Sequence, residues 1–246
     1  MKVRHIGKLA ALSAFLLTAC GAPANSSLQA ENADVKKVAA DGPVVIELFQ
    51  SQGCSSCPPA NAALNKLAGR KDVIALSYAV TYWDKLGWKD RFASPAFTQR
   101  QYDYRDAMKG DSVYTPQVVL NGRKAIVGNG KGELDSAIAA SKAVTGGPSI
   151  ALDKDRISIG AGTSGSGATV WLVRYDPRTH NVAIKAGENG GRTLPHRNIV
   201  HSLEKLGSWT GKDASFALPA QTDNALKSVI LVQQGAAGPI LSAKAL

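Results

Sequence analysis

The fold class this sequence predicts is an αβα-layered domain followed by a mainly-β, sandwich-like domain. Three observations predict it. Residues 44–143 alternate strand-length apolar runs with segments of helical spacing, the signature of layered α/β packing. From residue 148 onward, glycine-rich turns separate seven short β-like runs. The chain has 246 residues, enough for two domains of ordinary size after a leader is removed.

The first-domain elements follow in order. Residues 44–49 form a compact apolar run with one acid, suited to a buried strand. Ala60, Ala63, Leu64 and Leu67 keep helical spacing over 60–68. Residues 73–80 are a second strand, and 95–109, with Phe97, Tyr104 and Met108 among polar residues, a second helix. Residues 117–120 are a third strand. Asn121-Gly122 is a strong hairpin signal, so 124–127 returns antiparallel. Leu134 and Ile138 mark a closing helix over 130–143. In the second domain the expected strands are 149–152, 156–159, 168–175, 182–186, 214–218, 228–233 and 239–242. Residues 198–206 are ambiguous, because Val200, Leu203 and Leu206 keep helical spacing.

The N-terminus carries Lys2, Arg4 and Lys8, then an apolar stretch over 9–19. This is a secretory signal; a membrane span needs about 20 apolar residues. The stretch ends in Leu17-Thr18-Ala19-Cys20-Gly21, which resembles a bacterial lipobox. Cys20 is then the lipidation site, 1–20 the signal peptide and 21–40, rich in Ala, Ser and Asn, a flexible tether. The alternative is cleavage after Ala22-Pro23-Ala24. Either route exports the protein, and the lipobox makes it a membrane-anchored periplasmic lipoprotein. The formal charge is +10, with no basic block or basic–aromatic stripe, so nucleic acid is not an expected partner.

Of three cysteines, two remain: Cys54 and Cys57, in Gly53-Cys54-Ser55-Ser56-Cys57-Pro58-Pro59, between a predicted strand and a predicted helix. Two intervening residues let the sulfurs meet without large backbone movement. Pro58 and Pro59 are tolerated only near a helix start, which places the pair at that start. There a thiolate gains from the helix dipole and free amides. A zinc site would need two more ligands, and no local Cys or His supplies them; neither a metal nor a cofactor is expected. Trp83 and Trp88 either line a substrate groove or pack in the core.

The element order, the Cys-x-x-Cys after the first strand and Pro116 before the hairpin resemble the thioredoxin superfamily. More narrowly, Val45-Ile46-Glu47-Leu48-Phe49 with Cys54 to Ala60 resembles an exported thioredoxin-like family catalogued as domain of unknown function 1223. So do Tyr82-Trp83-Asp84-Lys85-Leu86-Gly87-Trp88-Lys89-Asp90 and Gly187-Glu188-Asn189-Gly190-Gly191-Arg192-Thr193-Leu194. One departure is that Ala79 and Thr81 stand where the family pattern has His and Asp.

The resemblance implies a thioredoxin-like domain over 41–145 and a β-rich domain over 146–246. It implies an exposed attacking Cys54, a resolving Cys57, and a cis Pro116 that leaves the Thr115 backbone to bind substrate, with Trp83 beside it. Glu47 would serve as general base, its pKa raised by burial; the alternatives for Glu47 are the sheet edge or a pair with Arg or Lys. Two functions are expected from this. One is exported thiol–disulfide exchange with protein thiols and disulfides of the cell envelope. The other is a non-catalytic envelope binding or scaffold protein with a structural disulfide.

Overall fold

The computed structural model describes residues 42–141 and 143–246. The signal peptide, Cys20 and the 21–40 tether lie outside the described residues. The described residues belong to one compact unit.

Four strands arise early in the chain: β1 (Val44–Gln50), β2 (Val73–Ala79), β3 (Gln117–Leu120) and β4 (Lys124–Ile126). Three helices accompany them: α1 (Cys57–Lys66), α2 (Pro95–Ala107) and α3 (Glu133–Ala140). β1 pairs parallel with β2 and antiparallel with β3. Asn121 and Gly122 both take positive φ, 50° and 63°, which lets β4 fold straight back on β3.

The second half adds β5 (Ile150–Asp153), β6 (Arg156–Ile159), β7 (Ala168–Asp176), β8 (His180–Ala183) and β9 (Thr193–His196). It continues with β10 (Ile199–Trp209), β11 (Ala214–Ala217), β12 (Lys227–Gln234) and β13 (Ile240–Ala245).

The expected fold class, a thioredoxin-like α/β domain followed by a separate sandwich-like domain, is not what the chain builds. Of the described residues 38 % are strand and 17 % helix, so the molecule is mainly β. A single mixed sheet of eight strands runs β13-β12-β7-β10-β2-β1-β3-β4 through both halves. The join is at the edge of β2. The Ser77 amide donates to the Asn198 carbonyl at 2.9 Å, and Asn198 Nδ2 donates to the Ala75 carbonyl at 3.0 Å. An unpaired edge strand leaves backbone groups unsatisfied, and Asn198, just before β10, pairs two of those of β2.

The core follows the sheet. One face packs Val45, Phe49, Tyr78 and Phe97 with Val173, Val200, Val229 and Ile240 from the second half. The opposite face packs Ile46, Leu48 and Val118 under α1 and α3, through Leu64 and Ile138. The small sheet β11-β6-β5 closes a third cluster by packing Ile157 and Ile159 with Val170, Leu172, Trp209 and Ile230 of the large sheet.

Of the ambiguous residues 198–206, 199–206 are strand and Asn198 precedes it with φ 53°. Register shifts between Val200 and Ser202 and between Lys205 and Gly207 mark irregularities in β10. An extra residue in a strand offsets the alternation. Val200 and Leu203, three apart, therefore reach the same core cluster.

Candidate functional site

The β1–α1 junction carries a disulfide between Cys54 and Cys57, with the Cα atoms 5.4 Å apart. α1 begins at Cys57 with Pro58 and Pro59 in its first turn. No side chain caps it and no acid lies in that turn. Both cysteines are fully buried, so the expected exposed Cys54 is corrected: only Ser55 and Ser56 between them are exposed.

Two walls enclose the pair. On one side the Thr115 carbonyl oxygen lies 3.7 Å from Cys54 Sγ, and the Ser56 hydroxyl, 3.3 Å from the same sulfur, donates to that carbonyl at 3.3 Å. The Thr115–Pro116 peptide is cis. Trp83 Nε1 donates to Thr115 Oγ1 at 2.8 Å. Cys54, Cys57, Thr115, Pro116 and Trp83 are thus gathered at one place, with Trp83 acting on Thr115.

The other wall comes from the β8–β9 hairpin, more than 130 residues along the chain. Its connecting strap, residues 184–192, is tied to itself by the Gly190 amide on the Gly187 carbonyl and the Gly191 amide on the Ile184 carbonyl. Asn189, fully buried, donates from Nδ2 to the Gln52 carbonyl at 2.9 Å and the Cys54 carbonyl at 2.8 Å. Arg192 donates to Asn189 Oδ1 at 2.7 Å, which fixes the amide's orientation. Glu188 Oε2 accepts from the Ser55 amide at 3.0 Å. The Ser55 side chain, and then its amide, hold the Glu188 carboxyl below its ordinary pKa. Gly187 sits at φ 72°, and a Cβ there would come within 3.3 Å of the Trp88 Cβ.

Segment 82–92 seats the strap. Trp88 and Phe92 pack with Val182, Ile184 and Leu194. Trp88 Nε1 donates to Gln52 Oε1 at 2.9 Å, and Asp90 accepts from the Gln52 amide at 2.8 Å and the Phe92 amide at 2.9 Å. Burial pushes the Asp90 carboxyl up to about 6, against the pull of those two amides. Phe92 is ringed by His180, His196 and His201, with centroids 5.7, 6.3 and 6.4 Å away. Burial pushes His196 down to about 4, with Arg91 and His180 adding to the effect. No group of His, Cys, Asp or Glu among the described residues is arranged to hold a metal ion.

Glu47 does not join the dithiol. It points to the α2 face of the sheet, whereas Cys57 opens the helix on the other face. Arg100 holds it through Nε at 2.7 Å and Nη2 at 3.0 Å, and the Tyr104 hydroxyl donates to it. Gln233 of β12 completes the cluster: Arg100 Nη2 donates to its Oε1 at 3.2 Å, and its Nε2 reaches the Tyr104 oxygen at 2.9 Å. Burial opposes the Arg100 charge, but the carboxylate beside it outweighs burial and keeps it charged. A buried carboxylate needs such a partner. The general-base expectation is corrected to a structural ion pair that links the two halves.

Asn189, Glu188, Gln52 and Asp90 are site residues that sequence reasoning passed over. Asp90, Glu188 and Asn189 lie within the Tyr82–Asp90 and Gly187–Leu194 motifs, but the second reads locally as a turn, and Gln52 lies in neither. Cavities of about 680 and 560 Å³ lie elsewhere, and no residue of the Cys54–Cys57 loop lines either.

No curated protein matches the chain. A structural-genomics crystal structure of a protein from Agrobacterium tumefaciens is similar, at 33 % identity and TM-score 0.70, covering 85 % of this chain and 96 % of that one. HBP35 of Porphyromonas gingivalis is similar in fold alone, at 12 % identity and TM-score 0.55, over 84 % of this chain and 75 % of that one. The family model described as protein of unknown function (DUF1223) matches residues 45–233, more than three quarters of the chain, and the chain belongs to that family.

Proposed function

We propose that this chain is an exported thiol–disulfide exchange protein working through Cys54 and Cys57. The observation that carries the reading is the position of the pair: at an uncapped helix start, with the Ser56 hydroxyl and the Thr115 carbonyl beside Cys54. In the reductive direction the Cys54 thiolate attacks one sulfur of a substrate disulfide. That S–S bond breaks, a mixed disulfide forms, and the first substrate thiolate leaves. Cys57 then loses its proton to solvent and attacks Cys54 Sγ. The second substrate thiolate leaves and the Cys54–Cys57 bond is restored. The substrate gains two electrons and the protein loses two; the oxidative direction is the reverse. The partners in this reading are protein thiols and disulfides of the cell envelope. Cys20 anchors the chain to the membrane, which the basic N-terminal residues and the lipobox-like Leu17–Gly21 support. Labelling with a fatty acid tests the anchor and should vanish in Cys20→Ser.

A second reading is favoured by the burial of both sulfurs: a structural disulfide in a binding or scaffold protein. Equilibration in defined dithiol buffers separates the two. A potential of roughly −120 to −270 mV supports exchange, and one below about −300 mV supports the structural role.

A further inference from the structure

The strap is hydrogen-bonded directly to the loop that holds the disulfide. A nucleophile must reach a sulfur for exchange to begin, and neither sulfur is exposed while Asn189 holds the Gln52 and Cys54 carbonyls. The strap also brings a carboxylate to the amide next to Cys54, at the start of α1. That amide and the helix field are the local features that would stabilise a Cys54 thiolate. We infer that the 184–192 strap is a gate and an electrostatic brake on the Cys54–Cys57 pair, Asn189 keeping it shut and Glu188 opposing a thiolate at Cys54.

This deepens the exchange reading and rests on it for its biological meaning. The physical reasoning is local. Two hydrogen bonds from one buried amide must break before Cys54 is uncovered. A negative Glu188 disfavours a second negative charge nearby, so it raises the Cys54 thiol pKa. By linkage, forming the thiolate weakens the Glu188 contact, so reduction loosens the strap. Asn189 and Glu188 are positioning residues in this scheme: neither exchanges electrons or forms a bond to substrate. The charge on Glu188 and the double bond from Asn189 are separable, which makes the two roles separately testable.

The experiment uses small reagents, so it does not depend on any protein substrate. In the oxidised protein, reduction by dithiothreitol should be about tenfold faster in Asn189→Ala than in the parent, a loss of roughly one to two hydrogen bonds. In the reduced protein carrying Cys57→Ser, alkylation of Cys54 by iodoacetamide is followed against pH. Glu188→Gln should move the midpoint down and raise the alkylation rate at pH 7 several-fold, and added salt should shrink the difference. Asn189→Asp, close in shape but lacking the donor, replaces Asn189→Ala if the latter does not fold. Equal reduction rates in parent and Asn189 variants overturn the gate. A midpoint that stays put or rises in Glu188→Gln overturns the brake. If the small-reagent results hold while the parent and variants exchange with no protein disulfide, the strap stands and the exchange reading fails.

Discussion

The first core strand and the loop that follows it each carry a chemically distinctive group, and the two lead opposite lives. Glu47, mid-strand on the α2 face, is buried against Arg100, Tyr104 and Gln233. The Cys54–Cys57 pair, just beyond the strand's end, is also buried, in a loop tied to the strap through backbone groups. The first is buried within the sheet's main hydrophobic core. The second is covered by a surface segment whose other residues are largely exposed. The difference teaches that full burial has two meanings here: a core ion pair opens only with the fold, whereas a strapped loop opens when a few hydrogen bonds break.

The comparison breaks first at Arg100. Arg100→Met leaves the buried Glu47 without its cation, and should cost about 3–5 kcal/mol in urea unfolding. The Cys54–Cys57 potential of the folded variant should stay close to the parent's. A large shift in potential would mean that Glu47 does communicate with the dithiol.

The strap region has its own pH signature. His196 is buried neutral, with a folded pKa of about 4 against an ordinary value of 6.5. Above pH 6.5 both folded and unfolded chains carry it neutral, and its contribution is fully present. As pH falls from 6.5 towards 4, the unfolded chain takes up a proton that the folded chain resists, and stability is lost. The loss by pH 4 should be about 3 kcal/mol at most, since one pKa unit is about 1.36 kcal/mol. Comparing denaturation at pH 7 and pH 4 in parent and His196→Leu checks it: the variant should lose less on acidification.

Removing the disulfide should matter less than either. Closing so short a loop stabilises by about 2 kcal/mol through the unfolded state. The Cys54→Ser, Cys57→Ser double variant should therefore unfold at lower urea but cooperatively. Smallest of all is Thr115→Val, which removes the acceptor for Trp83 Nε1 and should cost about 1 kcal/mol. Its effect on reduction rate, read in the same dithiothreitol assay, sharpens the contrast between the Thr115 wall and the strap wall.

Much of the first half was legible because its signals are local. The run at β1, the Pro58-Pro59 pair at the start of α1 and the Asn121-Gly122 turn all act within a few residues. Trp83 and Trp88 were left open between groove and core, and they divide: Trp83 donates to Thr115 while Trp88 seats the strap. β9 was missed because Pro195 interrupts a four-residue strand whose only ladder is with β8. β10 was ambiguous because its irregular register imitates helical spacing. The role of Asn189 had no local sign at all, since its partners are more than 130 residues away.

Local sequence is enough to place the strands, helices and turns of the first half, and two thiols three residues apart at a helix start. Backbone sterics, proline geometry and apolar periodicity settle such things within a short window. The folded chain alone reveals that β10 meets the edge of β2, that Glu47 belongs to Arg100, and that a strap from the second half is bonded to the Cys54 carbonyl. Those outcomes depend on which buried polar group finds which partner across the folded chain. A strand edge or a buried carboxylate states the need for a partner without naming it.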